Sequence, residues 1–264
     1  MKKRINLNYL YLLLLISNYN LYADSFKILF IGNSFTHMNN FPMMFKELAA
    51  TSGDTLEVDY SAVDSYTLEK HSKYSETLEK IAYGCWDYVV LQEQSQRPAT
   101  DSNTFYNKTL FYANYIDSII KIYNPNAQVL LFMTWGRKNG DKELCKKFPD
   151  LCSYIGMQNK LSERYYLIAS KLAMSVVPCG TSWEYFQTNQ NLNINLYDED
   201  EKHPNEIGSY LNACVFYSVL LKKSPQGLTY NPMNIPIEEL FLIQKQAYST
   251  VENIKNLFDS IRNH

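Results

Sequence analysis

A serine and a histidine stand far apart in this chain, each in a context where the two could form a nucleophilic pair. Ser34 ends the stretch ILFIGNS, in which an apolar run meets Gly-Asn-Ser. A serine hydroxyl is a weak nucleophile until a base takes its proton, and histidine is the usual base near neutral pH. The alternative interpretation is structural: Gly32 and Asn33 form a turn, and Ser34 caps the following helix.

The chain has four histidines, so the candidate base can be sought by elimination. His264 is the terminal residue. His71 lies on a predicted helix, where a structural role is favoured. His37 follows Ser34 by three residues and could equally be a surface or a lining residue. His203 stands in the charged segment LYDEDEKHPNEIGSYL and is the best candidate.

An acid near His203 would complete the arrangement. Asp200 precedes His203 by three residues. In a loop that returns on itself, its carboxylate can accept a hydrogen bond from one ring nitrogen and leave the other nitrogen free to face a serine. Pro204 fixes the chain direction after the histidine, and Asn205 can cap the next helix. Asp198 is a rival for the acid, and an acidic surface loop is the alternative to both.

Short apolar runs alternate with helical patterns, which predicts an α/β fold with a central parallel sheet of about five strands in a three-layer α/β/α sandwich. The strands are predicted at 27–31, 56–63, 87–91, 128–134 and 175–178. Helices are predicted at 42–51, 67–83, 104–123 and 157–173, from about 205 through EIGSYLNACVFYSVLL, and at 237–261, the last one amphipathic.

Ligands bind at the carboxyl ends of the strands in an open parallel sheet, so the residues that follow each strand are candidate site residues. Besides Gly-Asn-Ser they are Asp64-Ser65, the run QEQSQ and Trp-Gly-Arg. Trp135 could stack on a sugar and Arg137 could bind carboxylates or hydroxyls, so both are candidate substrate-binding residues. Trp135 could equally belong to the core.

Composition indicates one exported domain. The chain has 264 residues, of which 46% are hydrophobic, and its formal charge of −2 gives no reason to expect nucleic acid or an anionic membrane as partner. A basic start and the apolar run YLYLLLLI predict a signal peptide over 1–23, cleaved after Ala23, because eight apolar residues are too few to span a bilayer. We therefore expect a secreted or periplasmic domain at 24–264, with no stable membrane anchor after cleavage.

Export changes the interpretation of the five cysteines. Cys145 and Cys152 flank the short loop KKFPDL, a spacing compatible with a disulfide. Cys85, Cys179 and Cys214 lie in apolar contexts, which predicts buried thiols.

Six stretches taken together resemble the SGNH (GDSL-like) hydrolase superfamily, and most closely a secreted bacterial branch of it. They are ILFIGNSFT, YTLEKH, DYVVLQEQSQRPAT, FMTWGRKNGD, IGMQNKL and HPNEIGSYLNACVFY, spread over about residues 27–220. The resemblance implies Ser34 as nucleophile, His203 as general base and Asp200 as the acid that orients it. It also implies a five-stranded parallel sheet and esterase activity, often the removal of acetyl groups from carbohydrates. No cofactor is expected, since the chain has neither a phosphate-binding loop nor a nucleotide fingerprint.

The chain departs from the superfamily at both expected oxyanion donors. A glycine usually follows the second strand, but Ser65, or else Asp64, occupies that place here, and a positive φ would be costly for serine. An asparagine usually serves in the third block, where this chain has Gln92, Gln94 and Gln96. Counting from the strand favours Gln96, whereas likeness to QGES-type carbohydrate esterases favours Gln92, which is the prediction adopted.

The leading hypothesis is a secreted serine esterase acting on a small-molecule or glycan ester, with oxyanion donors at Ser34, Ser65 and Gln92. One alternative is a metal-dependent hydrolase using His37, His71 and His203 with the acids at 198 and 200, although no HExxH-like spacing is present. The other is a carbohydrate-binding protein on a hydrolase scaffold that has lost activity.

Overall fold

A computed structural model describes residues 24–189 and 192–262. Its centre is one sheet of five parallel strands in the order β2-β1-β3-β4-β5. The strands are β1 Ser25–Gly32, β2 Thr55–Ala62, β3 Tyr88–Leu91, β4 Gln128–Phe132 and β5 Ser175–Val177. All five predicted strands are therefore confirmed, and so is the parallel α/β fold.

Seven longer helices cover the sheet: α1 Phe41–Ala50, α2 Ser75–Tyr83, α3 Phe111–Tyr123, α4 Tyr154–Leu172, α5 Cys179–Thr188, α6 Glu206–Leu220 and α7 Ile237–Arg262. Short helical turns occupy Ser34–His37, Leu68–His71 and Ser102–Thr104, a π-helical stretch runs over Phe105–Leu110, and 3₁₀ turns occupy Met38–Asn40, Arg97–Ala99, Leu144–Lys146 and Pro149–Cys152. None of the helices in the described part of the chain combines the length and apolar character needed to cross a membrane.

The three layers follow from the burial of successive β1 residues on opposite faces of the sheet. Ile28 and Phe30 pack into one hydrophobic cluster, whereas Leu29 and Ile31 pack into the other, and all four are fully buried. This two-sided burial explains why the strand reads as a continuous apolar run. The helix α6 fills the first cluster with Phe216, whose ring lies 5.5 Å from that of Phe30.

Two helical predictions need correction. The single helix predicted at 67–83 is split into Leu68–His71 and α2, because Thr67 caps the first turn and Tyr74 is extended. The helix α5 was not predicted. Its first residue follows β5 after Pro178 alone, and no side chain caps it, so its sequence carries no start signal.

The cysteine predictions have mixed outcomes. Cys145 and Cys152 form a disulfide, and Cys179 and Cys214 are buried thiols. The prediction that Cys85 is buried is wrong: it is exposed in the loop between α2 and β3, with φ of 68°. The predicted signal peptide at 1–23 lies outside the described residues, and the division into a leader and one domain stays a prediction.

Candidate active site

Ser34 stands directly beyond the carboxyl end of β1, as the first residue of the helical turn Ser34–His37. The cap of this turn is Asn33, whose side-chain oxygen accepts the backbone N–H of Phe35. The amide nitrogen of Asn33 donates to the carbonyl of Tyr66, in the loop after β2, at 2.9 Å. The structural alternative for Ser34 as a cap is therefore wrong, and its hydroxyl is left for another partner.

That partner is His203. The Oγ of Ser34 lies 2.8 Å from Nε2 of His203, and Nδ1 of the same ring lies 2.5 Å from Oδ2 of Asp200. The other carboxylate oxygen of Asp200 accepts the backbone N–H groups of Lys202 and His203 at 3.0 and 2.9 Å. Asp198 instead accepts a hydrogen bond from the backbone of Glu199. Asp200, and not its rival, thus contacts the imidazole.

The electrostatics of this carboxylate suit an acid that stays ionised beside a histidine. Partial burial raises the pKa of Asp200, but hydrogen bonds from the backbone and ring of His203 outweigh it and hold the pKa at about 2. A carboxylate that remains charged can fix the imidazole tautomer and stabilise an imidazolium.

Trp135 corrects a prediction, because it is a core residue and does not face the cleft. Its side chain is 1% exposed and stacks on Trp183, with ring centroids 3.8 Å apart and planes inclined by 3°. Its indole N–H donates to the carbonyl of Lys202 at 3.1 Å. Trp135 therefore supports the loop that carries His203, and its buried ring has no face free for a sugar.

Ser65 lines the cleft and adopts φ of 59°, the left-handed conformation that favours glycine. The turn that the superfamily builds with glycine is thus kept with a serine in its place. Asp64, the other candidate for this position, is exposed and its carboxylate contacts Nε2 of His37 at 2.7 Å. The prediction that a backbone N–H at 65 serves as donor is compatible with this geometry.

Gln92 also corrects a prediction, because it is not among the residues that line the cleft. Its side chain is fully buried. The oxygen accepts the backbone N–H of Asn33 and the hydroxyl of Thr36, each at 2.9 Å, and the nitrogen donates to the carbonyl of Glu93. Gln92 braces the turn that carries Ser34 and is not available to an oxyanion.

Gln94 and Gln96 are the glutamines that line the cleft. The side-chain oxygen of Gln94 accepts the backbone N–H groups of Gln96 and Arg97, and its nitrogen donates to Oε1 of Gln96 at 2.6 Å. The amide of Gln96 in turn donates to the carboxylate of Asp141. These bonds hold the amide of Gln94 in one orientation, with its donor nitrogen retaining a second N–H.

The cleft itself has a volume of about 200 Å³. It is lined by Asn33, Ser34, Phe35, Ser65, Gln94, Ser95, Gln96, Arg137, Lys202 and His203. Phe35 is the one hydrophobic side chain among these lining residues. The predicted site residue Arg137 reaches the cleft and forms an ion pair with Asp141, whose side chain is fully buried.

The histidines of the metal alternative do not converge. His71 is fully buried, with Nε2 at 2.7 Å from the carbonyl of Gly32 and Nδ1 at 2.7 Å from the hydroxyl of Thr77. Burial lowers the pKa of His71 to about 4, so the ring is neutral near pH 7 and donates to the carbonyl. Within residues 24–189 and 192–262, no three His, Cys, Asp or Glu side chains are grouped so that they could hold a metal ion.

Sequence reasoning missed Glu93, a buried acid beneath the cleft. Its Oε1 accepts the backbone N–H of Gln94 at 2.7 Å and that of Leu68, beyond the Ser65 loop, at 3.2 Å. One carboxyl group thus joins the two loops that carry the candidate oxyanion donors. Burial raises the pKa of Glu93 to about 7, and its Oε2 has no partner among the described residues. The signal in the sequence was a charged residue two positions after the end of the strand YVVL.

Replacing this acid should change how stability depends on pH. Because the pKa of Glu93 is raised by folding, its contribution is fully present below pH 4.5 and is lost as pH rises through 7. A Glu93→Gln variant keeps the accepting oxygen and cannot ionise. Its free energy of unfolding, measured in urea, should therefore gain on wild type by up to about 3 kcal/mol between pH 5 and pH 8. Glu79→Gln, at an exposed glutamate, is the matched control, and an equal pH effect in both variants would contradict the assignment.

The fold of this chain is shared with several solved structures. No family model and no curated protein matches the chain. Among solved structures, a DUF4886 family protein from Bacteroides uniformis is 17% identical, with a TM-score of 0.71 over 86% of this chain and 95% of its own. An acetyl xylan esterase, AlAXEase, is 16% identical, with a TM-score of 0.56 over 74% of this chain and 99% of its own. These two likenesses support the fold.

A more informative match is a protein described as a "putative SGNH hydrolase" from Slackia heliotrinireducens. It is 27% identical, with a TM-score of 0.59 over 73% of this chain and 97% of its own. The match extends over nearly the full length of that protein. On this likeness, the chain belongs to the SGNH (GDSL-like) hydrolase superfamily.

Proposed function

We propose that this hydrolase of ester bonds is a secreted serine esterase that removes a small acyl group, acetyl above all, from a carbohydrate. The observation that carries the proposal is the continuous hydrogen-bonded line from Ser34 through His203 to Asp200. An acetyl xylan esterase among the structural neighbours supports the acetyl and carbohydrate part.

In the proposed mechanism, Ser34 attacks the ester carbonyl while His203 takes the hydroxyl proton and Asp200 stabilises the resulting imidazolium. The tetrahedral intermediate collapses as the imidazolium gives this proton to the leaving alcohol, which leaves an acyl group on Ser34. A water molecule, deprotonated by His203, then attacks the acyl-enzyme, and the carboxylic acid departs. The proton of Ser34 thus leaves with the alcohol, and the proton taken from water passes from His203 to Ser34 Oγ as the acyl bond breaks, which restores the free enzyme.

The negative oxygen of each intermediate needs donors fixed before the reaction begins. The backbone N–H groups of Ser34 and Ser65 are two candidates. Gln94 replaces Gln92 as the side-chain candidate, because it lines the cleft and its oxygen is anchored by two backbone N–H groups. A longer amide on an anchored loop thus takes the part of the superfamily's asparagine.

The dimensions of the cleft favour a small acyl group on a polar alcohol. A volume of about 200 Å³ with one aromatic wall offers little apolar surface to a long acyl chain. Hydroxyl, amide and charged groups make up most of its lining, and such groups suit a hydroxylated substrate.

Loss of the nucleophile gives the first test. Ser34→Ala should lower kcat/KM for para-nitrophenyl acetate by a factor on the order of 10⁴, since nothing else in the site forms the acyl-enzyme. Ser118→Ala, at an exposed serine on α3, is the matched control and should hydrolyse the ester as wild type does. A fluorophosphonate probe should label wild type at Ser34 alone. Full activity in Ser34→Ala would overturn the proposal.

The two glutamines can be separated by comparing activity with stability. Gln94→Ala should lower kcat about 100-fold or more, because it removes a donor. Its thermal midpoint should fall less than that of Gln92→Ala, because the N–H groups of Gln96 and Arg97 that lose their acceptor belong to partly exposed residues. Gln92→Ala should instead lower stability by about 1–3 kcal/mol, because it strands the buried N–H of Asn33 and the hydroxyl of Thr36. Wild-type kcat in folded Gln94→Ala would exclude Gln94 as an oxyanion donor.

The non-catalytic alternative rests on the replacement of the superfamily's glycine by Ser65. A scaffold that has lost activity would bind glycans and turn over none of a panel of acyl esters. The positive φ of Ser65 argues against such a loss, because the turn that presents its N–H is retained.

Secretion is supported by two independent features. The basic start and apolar run of residues 1–23 have the form of a signal peptide, and the disulfide between Cys145 and Cys152 suits an oxidising compartment.

The backbone nitrogen of Asp24 lies 2.9 Å from the carboxylate of Asp54. Cleavage before Asp24 would therefore place the new ammonium group beside a buried acid.

Processing can be tested on protein exported from a bacterial host. Amino-terminal sequencing should begin at Asp24. An Ala23→Tyr variant should accumulate as the uncleaved precursor, because signal cleavage requires a small residue there. Exported wild-type protein that retains residues 1–23 would contradict this assignment.

A further inference from the structure

A second cleft of about 350 Å³ adjoins the catalytic cleft, and the two share Arg137 and Lys202 as lining residues. Its other lining residues are Asn139, Gly140, Lys142, Glu143, Asp200 and Glu201. The candidate oxyanion donors are absent from this lining, whereas Asp200 is present. The second cleft therefore extends from the side of the site that holds the general base.

The position of the base decides which part of an ester would occupy this second cleft. His203 must reach the oxygen of the leaving alcohol to protonate it, so the alcohol departs on the His203 side. Lys202 precedes His203 in the same loop and lines both clefts. The alcohol portion of the substrate is thus directed past Arg137 and Lys202.

The charges around the catalytic cleft are unbalanced. Arg137 and Lys202 are its two cations, and no carboxylate is among its lining residues. The second cleft is lined by three carboxylates besides its cations, so a substrate carboxylate is best placed at the junction, where the two clefts share only Arg137 and Lys202. The counter-charge of Arg137 is the fully buried Asp141, at 3.1 Å from Nη1, so it stands behind the guanidinium and away from the cleft. Asp141 also accepts the backbone N–H of Leu144 at 3.0 Å, which shares its negative charge among several donors.

Arg137 is oriented in advance and still has binding capacity. Its Nε is buried and has no hydrogen-bond partner among the described residues. A buried donor without a partner is unfavourable, and a planar carboxylate is the acceptor that matches a guanidinium in two places. The side chain is 25% exposed, so the guanidinium can be reached from the cleft.

Lys202 combines a fixed backbone with a loosely held ammonium group. Its N–H donates to Asp200 and its carbonyl accepts the indole N–H of Trp135. Its Nζ lies 3.6 Å from Oδ2 of Asp200, at a side-chain exposure of 39%. The ammonium group can therefore turn from Asp200 toward an anion in the cleft.

We propose that the natural ester carries a carboxylate on its alcohol portion, as an O-acetylated uronic acid does, and that Arg137 and Lys202 bind this carboxylate. The proposal rests on the esterase function proposed above and adds the chemical class of the substrate. It also gives Arg137 and Lys202 a specificity role that the neutral esters of the general reaction do not require.

The experiment compares three acetyl esters whose leaving phenols carry a negative, a neutral or a positive para substituent: para-acetoxybenzoate, its neutral methyl ester and para-acetoxy-trimethylanilinium. Each kcat/KM is divided by the rate of hydroxide-catalysed hydrolysis of the same ester, because the phenols differ as leaving groups. The anionic ester should exceed the neutral one by about tenfold or more, as expected for a hydrogen-bonded charge pair, and the cationic ester should be the poorest. The preference should fall as salt is added.

Variants locate the source of the preference. In Lys202→Met and in Arg137→Lys, the ratio of kcat/KM between the anionic and neutral esters should fall several-fold, the second because lysine keeps the charge and loses the planar fork. Arg137→Lys also keeps a cation beside buried Asp141, so the fold should be retained. Lys171→Met, an exposed site on α4, is the matched control and should keep the wild-type ratio.

A second comparison uses acetylated methyl glucuronoside beside acetylated methyl glucoside, with acetate release as the readout. Equal normalised rates for anionic and neutral esters, or a ratio unchanged in both variants, would overturn the carboxylate proposal and leave the esterase intact. If no ester is hydrolysed and Ser34 is not labelled by fluorophosphonate, the esterase function itself has failed.

Discussion

The hydrogen bond between Ser34 Oγ and His203 Nε2 is the constraint on which the site depends, because it joins side chains 169 residues apart in the chain. Ser34 is placed by the sheet, since it follows β1, which pairs with strands on both sides. His203 lies in a loop and must be placed by other means. The carboxylate of Asp200 accepts hydrogen bonds from the backbone and the ring of His203. On either side of His203, the indole of Trp135 donates to the carbonyl of Lys202, and the amide of Asn39 donates to the carbonyl of Pro204 at 2.8 Å.

Buried polar side chains provide hydrogen-bond partners for the backbone of the loops at the carboxyl end of the sheet, as neighbouring strands do within the sheet. Where a parallel strand ends, the next N–H and C=O groups lose their partners and still require them if they are buried. Gln92 supplies an acceptor to the turn after β1, Glu93 supplies one to two loops, and His71 donates to the last carbonyl of β1. Burying each of these three side chains is unfavourable, and its hydrogen bonds offset that cost. The loops at the catalytic edge of the sheet are therefore held by polar groups that are buried in the protein.

Periodicity was a good guide to the strands and a poor guide to individual side chains at their ends. The strands β1, β3 and β4 were predictable because two-sided burial demands continuous apolar runs, whereas the edge strand β2 is partly exposed and carries polar residues. Trp135 shows the limit. An aromatic residue after a strand can face the core or the cleft, and stacking on Trp183, 48 positions later, decides between them. The helix α5, which carries Trp183, has no side-chain cap, so the sequence did not predict the helix that places this stacking partner of Trp135.

The sequence did not distinguish the three glutamines as oxyanion donors, for a related reason. Alternation of side chains requires a continuing strand, but β3 ends at Leu91 and a 3₁₀ turn follows at Arg97–Ala99. Gln92 turns inward because Gly32 leaves room for it: a Cβ at 32 would lie 2.5 Å from its Oε1. The φ of Gly32 is not positive, so glycine is needed here because it has no side chain and not because of its backbone freedom. The Gly-Asn-Ser motif thus specifies three separate needs in succession: space for the brace, a cap for the turn, and an exposed hydroxyl.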